Sequence, residues 1–210
     1  MTVIGLGGKL RAGKDEIADH LVRHHGYVKI GMSDALHEAM LALDPIVIVD
    51  EFVQYPEGAP GYGWNTPRKQ MRYAELCEAV GYTEAKKKPE VRRLLQALGT
   101  EVGRKMIGED TWTNIVRRRI DEFEKRGIPV VLTGLRYPNE LQLITGKYSP
   151  TAWLLWVERP GAEAPSTATA AHSSENSVGA DDFTFVLHND GTLEELYAKV
   201  DKLARLAASL

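Results

Sequence analysis

Gly8-Lys9-Leu10-Arg11-Ala12-Gly13-Lys14-Asp15 is the stretch whose residue types and spacing suit chemistry. Two glycines frame a short loop that closes on a lysine. The apolar run Val3-Ile4-Gly5-Leu6 precedes it, and Glu16-Ile17-Ala18-Asp19-His20-Leu21-Val22 follows. The first reads as a buried strand. The second reads as a helix with Ile17, Ala18, Leu21 and Val22 on one face. Strand, glycine-bearing loop, lysine and helix are the parts of a phosphate-binding loop. Its backbone N–H groups and the positive helix end face a polyphosphate, and the lysine reaches the terminal phosphates. Asp15 stands where Ser or Thr usually ligates magnesium. A carboxylate also serves hydrated magnesium, so Asp15 is the metal candidate, its other role being to cap the helix. A dinucleotide fingerprint is disfavoured, because Leu10 stands where its third glycine belongs.

The elements that must position this loop follow in order. Tyr27 to Met32 reads as a second strand after a helix stop at Gly26, and Ser33-Asp34 caps a helix over 35–43. Ile46-Val47-Ile48-Val49-Asp50-Glu51 mimics the acidic strand end that holds magnesium in many ATPases. It follows Asp44-Pro45 and leads into a Gly/Pro-rich stretch, so it reads as an excursion, in the form of a hairpin. Pro67 to Val80 reads as a helix. A further helix begins near Pro89 with the apolar stripe Val91, Leu94, Leu95, Leu98, Val102 and Met106. Gly99 and Gly103 interrupt it at a cost of about 1 kcal/mol each against alanine, as expected if something approaches closely. Its polar complement, Arg92, Arg93, Gln96, Thr100, Glu101 and Arg104, is either a solvated face or a surface for a base, sugar or phosphate.

Asp110-Thr111 reads as the cap of a helix over 112–125. Pro129 to Thr133 and Ala152 to Glu158 read as strands, with a short helix from Pro138 between them. Residues 161–176 have the composition of a mobile loop. Phe183 to Leu187 reads as the last strand and Leu193 to Ala208 as a closing helix. Strands alternating with helices predict an α/β, doubly wound parallel sheet of five strands, with ligands at the carboxyl ends of the strands.

The 210 residues suffice for one good core. A net charge of -3 gives no support to a nucleic-acid binder, so Lys86-Lys87-Lys88 and Arg117-Arg118-Arg119 read as solvated faces. The single cysteine, Cys77, excludes an internal disulfide and a zinc cluster of cysteines. No signal peptide or membrane-length apolar run stands out, so a cytoplasmic location is expected.

Four groups of residues resemble the bacteriophage-type deoxynucleoside monophosphate kinases. They are Gly13-Lys14-Asp15; Arg93 to Arg104 with Gly108-Glu109-Asp110-Thr111-Trp112; Leu135-Arg136-Tyr137-Pro138-Asn139-Glu140; and His172-Ser173-Ser174-Glu175 before Asn189-Asp190-Gly191-Thr192-Leu193. The resemblance covers nearly the whole chain. It implies the P-loop nucleoside monophosphate kinase fold as a single domain over 1–210. Within it, 44–112 form an acceptor-binding region and 159–178 a lid. It also implies ATP as phosphoryl donor, Mg2+ as cofactor, deoxynucleoside monophosphates as acceptors and a possible homodimer.

By the same resemblance Gly8, Lys9, Ala12, Gly13, Lys14, Asp15 and Glu16 hold the ATP phosphates. Asn189 and Gly191 wrap its adenine through backbone, so side-chain substitutions there should be silent. Lys14, Arg11, Arg136 and Arg159 are the catalytic set, with Arg136 clamping the acceptor phosphate and Arg159 closing from the lid. Arg11 is equally readable as solvent-facing. Arg93, Gln96, Thr100, Glu101 and Arg104 are the acceptor residues, with Arg68 and Arg72 as further phosphate candidates. Trp112 either stacks on a base or belongs to the core. His172 and Glu175 are candidate lid contacts. One departure stands out: Gly134 occupies a place where the family commonly carries Asp. Phosphomevalonate and dephospho-coenzyme A kinases share some features, but the 95–104 motif disfavours both. A P-loop ATPase needs an acidic strand end beside the loop, and a binding-only module has Gly134 as its one hint.

Overall fold

The computed structural model describes residues 1–49, 70–148, 152–162 and 177–209. Two compact units divide the chain: Met1–Asp34 with Asp110–Leu210, and Ala35–Glu109.

The first unit is built on a five-stranded parallel sheet in the order β2-β5-β1-β6-β7. Its strands are β1 (Val3–Gly7), β2 (Val28–Gly31), β5 (Val130–Thr133), β6 (Ala152–Glu158) and β7 (Phe185–His188). Side chains alternate across the pleat. Ile4, Leu6, Val131, Leu155, Val157 and Leu187 meet α1 (Lys14–His25) and α8 (Leu193–Ala208) on one face. Val3, Ile30, Val130, Leu132 and Leu154 meet α6 (Thr111–Glu124) and α7 (Pro138–Lys147) on the other. A sheet buried on both faces is what the near-continuous apolar strands require.

Several local expectations are corrected. Val22 is 39% exposed while His20 is buried, so the inner face of α1 runs through Ile17, Ala18, His20 and Leu21. Phe183 precedes β7 instead of opening it, and its ring packs on Trp156. The Asp110 carboxylate makes no N–H cap; it accepts from Thr113 Oγ1 at 3.3 Å and from Asn139 Nδ2 at 2.9 Å. Two stretches far apart in the chain are thereby joined.

The second unit holds α2 (Asp34–Leu43) from Ala35 onward and an antiparallel pair, β3 (Ile46–Ile48) with β4 (Gln70–Arg72). The paired excursion is as expected, but part of the helix expected over 67–80 is strand. Helix α3 (Tyr73–Val80) starts only after it, followed by the single turn α4 (Tyr82–Ala85). Helix α5 (Pro89–Gln96) continues as a π-helix over Ala97–Ile107, whose end is marked by Gly108 N–H donating to Gly103 O, five residues back. More residues per turn shift the phase of the expected stripe. Val91 and Leu95 stay buried, while Met106 is 78% exposed. Gly99 is explained from within this unit: a Cβ there would lie 3.2 Å from Leu36 Cδ2.

Helices α6 and α7 are tied by Asp121, whose carboxylate accepts from the Lys147 ammonium and from Tyr148 Oη at 2.7 Å. Burial alone would raise this carboxyl; the bonds from Lys147 and Tyr148 outweigh it and hold the group below its ordinary value. A depressed folded-state pKa stabilises the fold above the unfolded value of about 4 and loses that contribution as pH falls through the folded value. Asp121→Asn is therefore expected to lower stability near neutral pH. It should also flatten the further loss seen on acidification below about pH 4, measured by urea unfolding across that range.

Candidate phosphate-binding and transfer site

Strand order decides what meets at the sheet's carboxyl edge. The loop after β1 carries Gly8 to Lys14, and β1 lies between β5 and β6, with β7 beside β6. The segment after β5 carries Arg136, Glu158 ends β6 just before Arg159, and Asn189 follows β7. Parallel registers bring Gly7 opposite Trp156, Leu6 opposite Thr133 and Glu158 opposite His188, so these ends open on the same side. Four loops from adjacent strands therefore share one edge, where ligands bind in open α/β sheets.

The loop is held by its own backbone and by one distant side chain. Gly8 and Gly13 have φ of 132° and 102°, and Arg11 has φ of 62°. A left-handed non-glycine residue costs roughly 1–2 kcal/mol, and Arg11 sits exposed at the crest of the loop. Gly8 O and Lys9 O accept from Lys14 Nζ at 2.7 and 2.6 Å. Those carbonyls hold the ammonium across the loop where α1 begins, so its charge adds to the positive helix end. Ala12 is fully buried.

Asn189 departs from the expectation that it acts through backbone alone, because its side chain is engaged. Its Nδ2 donates to Ala12 O at 2.9 Å, and its N–H donates to Glu158 O at 2.7 Å. A Cβ on Gly13 would fall 2.6 Å from that Nδ2, so the asparagine amide fills the space a side chain would need. The turn after β7 thus braces the loop after β1. Asn189→Leu, which removes the donor, is expected to raise the KM for the nucleotide donor about tenfold, the equivalent of one lost hydrogen bond, with little change in melting temperature. An unchanged KM would show that the loop holds its shape unaided. Beyond Asn189, Thr192 and Glu195 form a reciprocal cap of α8: Thr192 Oγ1 accepts from Glu195 N–H at 3.2 Å and Glu195 Oε2 accepts from Thr192 N–H at 2.8 Å.

Arg136 is exposed, but its backbone is fixed. Glu140, 4% exposed, accepts from Arg136 N–H at 2.6 Å and Tyr137 N–H at 3.1 Å through Oε2. A carboxylate three residues into a helix reaching back to its first amides was the available sequence signal for this positioning residue. Gly134 has φ of 79° and open space around its Cβ position. An aspartate there would meet backbone strain rather than a clash, since L side chains rarely adopt that φ.

Asp15 lies in the first turn of α1 with its side chain 81% exposed, and Lys29 Nζ of β2 stands 2.9 Å from it and 3.0 Å from Asp19. Burial opposes the charge on Lys29, but Asp15 and Asp19 outweigh it and push the ammonium pKa up. The carboxylate is open to solvent, with the Lys29 ammonium as its present partner. Glu16 bonds to Tyr197 Oη and to Arg23 at 3.1 Å, which hold its carboxyl below the usual range.

The remaining candidates are placed as follows. Arg159 is exposed directly after β6, and Gly191 is exposed in the turn before α8. Trp112 is half-buried in the first turn of α6. Within the second unit, Arg93 forms a paired contact to Glu90 at 3.0 and 2.8 Å, and Glu101 pairs with Lys105 at 2.9 Å, both at the surface. Gln96, Thr100 and Arg104 are half-buried. Arg72 donates to Asp44 O at 2.9 Å, at the end of α2. Arg68, Asp50, His172, Glu175 and most of the expected lid lie outside the described residues. No described helix is long and apolar enough to cross a membrane.

Known proteins are similar to this chain in sequence or in fold. The deoxynucleotide monophosphate kinase of Escherichia phage RB69 is 25% identical over 252 aligned positions, covering 98% of this chain and all of that protein. The deoxynucleoside-5'-monophosphate kinase of Escherichia phage T5 is 32% identical over 98 residues, covering 47% of this chain and 38% of that protein. Among solved structures, a dephospho-CoA kinase from Campylobacter jejuni superposes with a TM-score of 0.52 at 10% identity, over 98% of this chain and 97% of that one, which shows the fold alone. The profile of the deoxynucleotide monophosphate kinase family matches residues 61–200, more than half of the chain. The loop after β1, the Asp110–Asn139 bond and the β5 and β7 turns therefore sit in a chain that belongs to the deoxynucleotide monophosphate kinase family.

Proposed function

We propose that this chain transfers the terminal phosphoryl group of ATP to a deoxynucleoside monophosphate, giving ADP and the deoxynucleoside diphosphate. The observation that carries the reading is the shared carboxyl edge of β5, β1, β6 and β7, found in a chain of this family. Phosphoryl transfer asks for positioning and charge neutralisation more than covalent chemistry, and that edge offers both. The backbone of residues 8–15 binds the donor phosphates, and Lys14 spans the outer two. Asn189 keeps the loop in shape. Arg136, fixed through Glu140, clamps the acceptor phosphate, and Arg159 neutralises charge as the phosphoryl group moves. Within the second unit, Gln96, Thr100 and Arg104, with Arg72, Arg93 and Glu101, are the candidates for acceptor contacts.

The donor set fits a magnesium ion. Magnesium keeps several waters and takes one or two carboxylates besides substrate phosphates, and Asp15 supplies one carboxylate at the loop once Lys29 yields it. Bound there, magnesium would neutralise charge on the outer phosphates. The setting we propose is the cytoplasm of an infected host, where such diphosphates are precursors for phage DNA synthesis; the names of the two phage relatives support it.

The test is a coupled assay of ADP release with ATP, magnesium and each of dTMP, dGMP, dCMP and dAMP in turn. Release that depends on at least one of these acceptors is expected. Release without any acceptor would reassign the chain as an ATPase, and release only with phosphomevalonate or dephospho-coenzyme A would change the acceptor class.

A further inference from the structure

The C-terminal half of α1 carries His20, His24 and His25, remote from the phosphate-binding loop at the other end of that helix. His20 Nε2 and His25 Nε2 each stand 2.7 Å from one atom, Asp201 Oδ1 of α8. The three ligand atoms lie within 4.8 Å of one another. Side-chain exposure grades from 7% at His20 through 20% at His25 to 34% at Asp201, so the cluster is screened on one side and open on the other. Two imidazoles and a carboxylate with an open position are the protein ligands of many zinc sites.

A second observation points the same way. His20 is 6% exposed, and its buried Nδ1 has no hydrogen-bond partner among the described residues. A histidine serving only to fill this space leaves a polar atom unsatisfied, at a cost an apolar residue would avoid. Its ring is nevertheless gripped in one orientation. Tyr197 stacks on it at 4.1 Å and 14°, and His24 packs at 4.6 Å. Tyr197 is in turn anchored to Glu16. The ligand is thus preorganised, as a functional site requires. The partly exposed Asp201 carboxylate leaves the cluster open to solvent.

We propose that His20, His25 and Asp201 form a three-ligand site for a divalent transition-metal ion of the zinc class, with water completing the coordination. Imidazole nitrogen favours zinc, cobalt, nickel and copper, whereas magnesium prefers oxygen. The site is therefore chemically distinct from any magnesium need at the loop. Tetrahedral ligands at zinc lie about 3.3 Å apart, so the two N···O separations open slightly as the ion replaces the protons between them. The half-exposed Asp201 side chain has room for that shift. Coordination through Nε2 leaves the proton on Nδ1, and at His20 that N–H finds no acceptor among the described residues. The site therefore binds more weakly than a closed structural zinc site with its outer shell satisfied.

Untagged protein, stripped with chelator and free of ATP and magnesium, is titrated with zinc chloride by calorimetry and with cobalt chloride by visible absorption. One equivalent of zinc and a tetrahedral cobalt band are expected. His25→Ala and Asp201→Asn should each weaken binding at least tenfold, while Lys14→Ala leaves it unchanged. Should either variant fail to fold by circular dichroism, the wild-type imidazole resonances give the answer: zinc must shift those of His20 and His25 together. Absence of saturable binding, binding in both folded variants as tight as in wild type, or zinc shifts confined to other histidines overturns the site.

Discussion

Lys14→Ala is expected to lose acceptor-dependent ADP release by about a hundredfold or more, the scale on which single transition-state donors act, with no loss of fold. Gly8 O and Lys9 O position the ammonium, and these contacts join a side chain to a loop already shaped by Gly8, Gly13 and Asn189. Removing the side chain subtracts charge while the loop persists. Lys14→Arg should not restore activity, because two carbonyls at 2.6 and 2.7 Å suit a compact ammonium better than a planar guanidinium. Measured as initial rates with the best of the four acceptors, a loss of only a few-fold would show that the donor phosphates bind elsewhere.

The second large effect belongs to Arg136. Arg136→Met should lower kcat/KM for the acceptor about a hundredfold, as for a desolvated charge-assisted pair, while leaving ATP affinity intact. Its guanidinium follows β5, one strand away from the β1 loop, and its backbone is fixed by Glu140 independently of that loop. Separate positioning predicts separate losses. Arg136→Lys should recover part of the rate, because it keeps the charge and loses the bidentate geometry. Calorimetric ATP binding beside steady-state kinetics makes the distinction. A parallel fall in ATP affinity would place Arg136 on the donor instead.

The family assignment bears on how these two residues are read. A structural likeness to a dephospho-CoA kinase at 10% identity carries the sheet and its edge, and no acceptor. The family profile over residues 61–200 spans Arg136 and Asn189 but begins after the loop of Gly8 to Lys14. The loop therefore rests on its own pattern and geometry, and on the full-length similarity to the phage RB69 protein.

Much of the fold is legible in local pattern. Strand β6 and helix α8 occupy the residues their apolar spacing predicts, and Gly26 ends α1 in a left-handed cap with φ of 70°. The loop of Gly8 to Lys14 is legible because its chemistry is carried by consecutive residues. These features depend on period, capping and turn chemistry within a few neighbours. The π-winding after Gln96 is not legible that way, since stripe positions assume a fixed number of residues per turn, and Met106 falls out of phase.

What the amino-acid sequence determined by itself was a P-loop α/β chain of kinase type, with Lys14 at the loop and Arg136 past a strand end. Only the tertiary structure decided which distant side chains meet. Asn189 bracing Ala12, Lys29 holding Asp15, Asp110 meeting Asn139 and Asp201 joining His20 to His25 are all such choices. The first and last of these contacts span 177 and 181 residues of chain. No local period encodes such pairs, because they exist only once the sheet has set its strand order and the helices have packed against its faces.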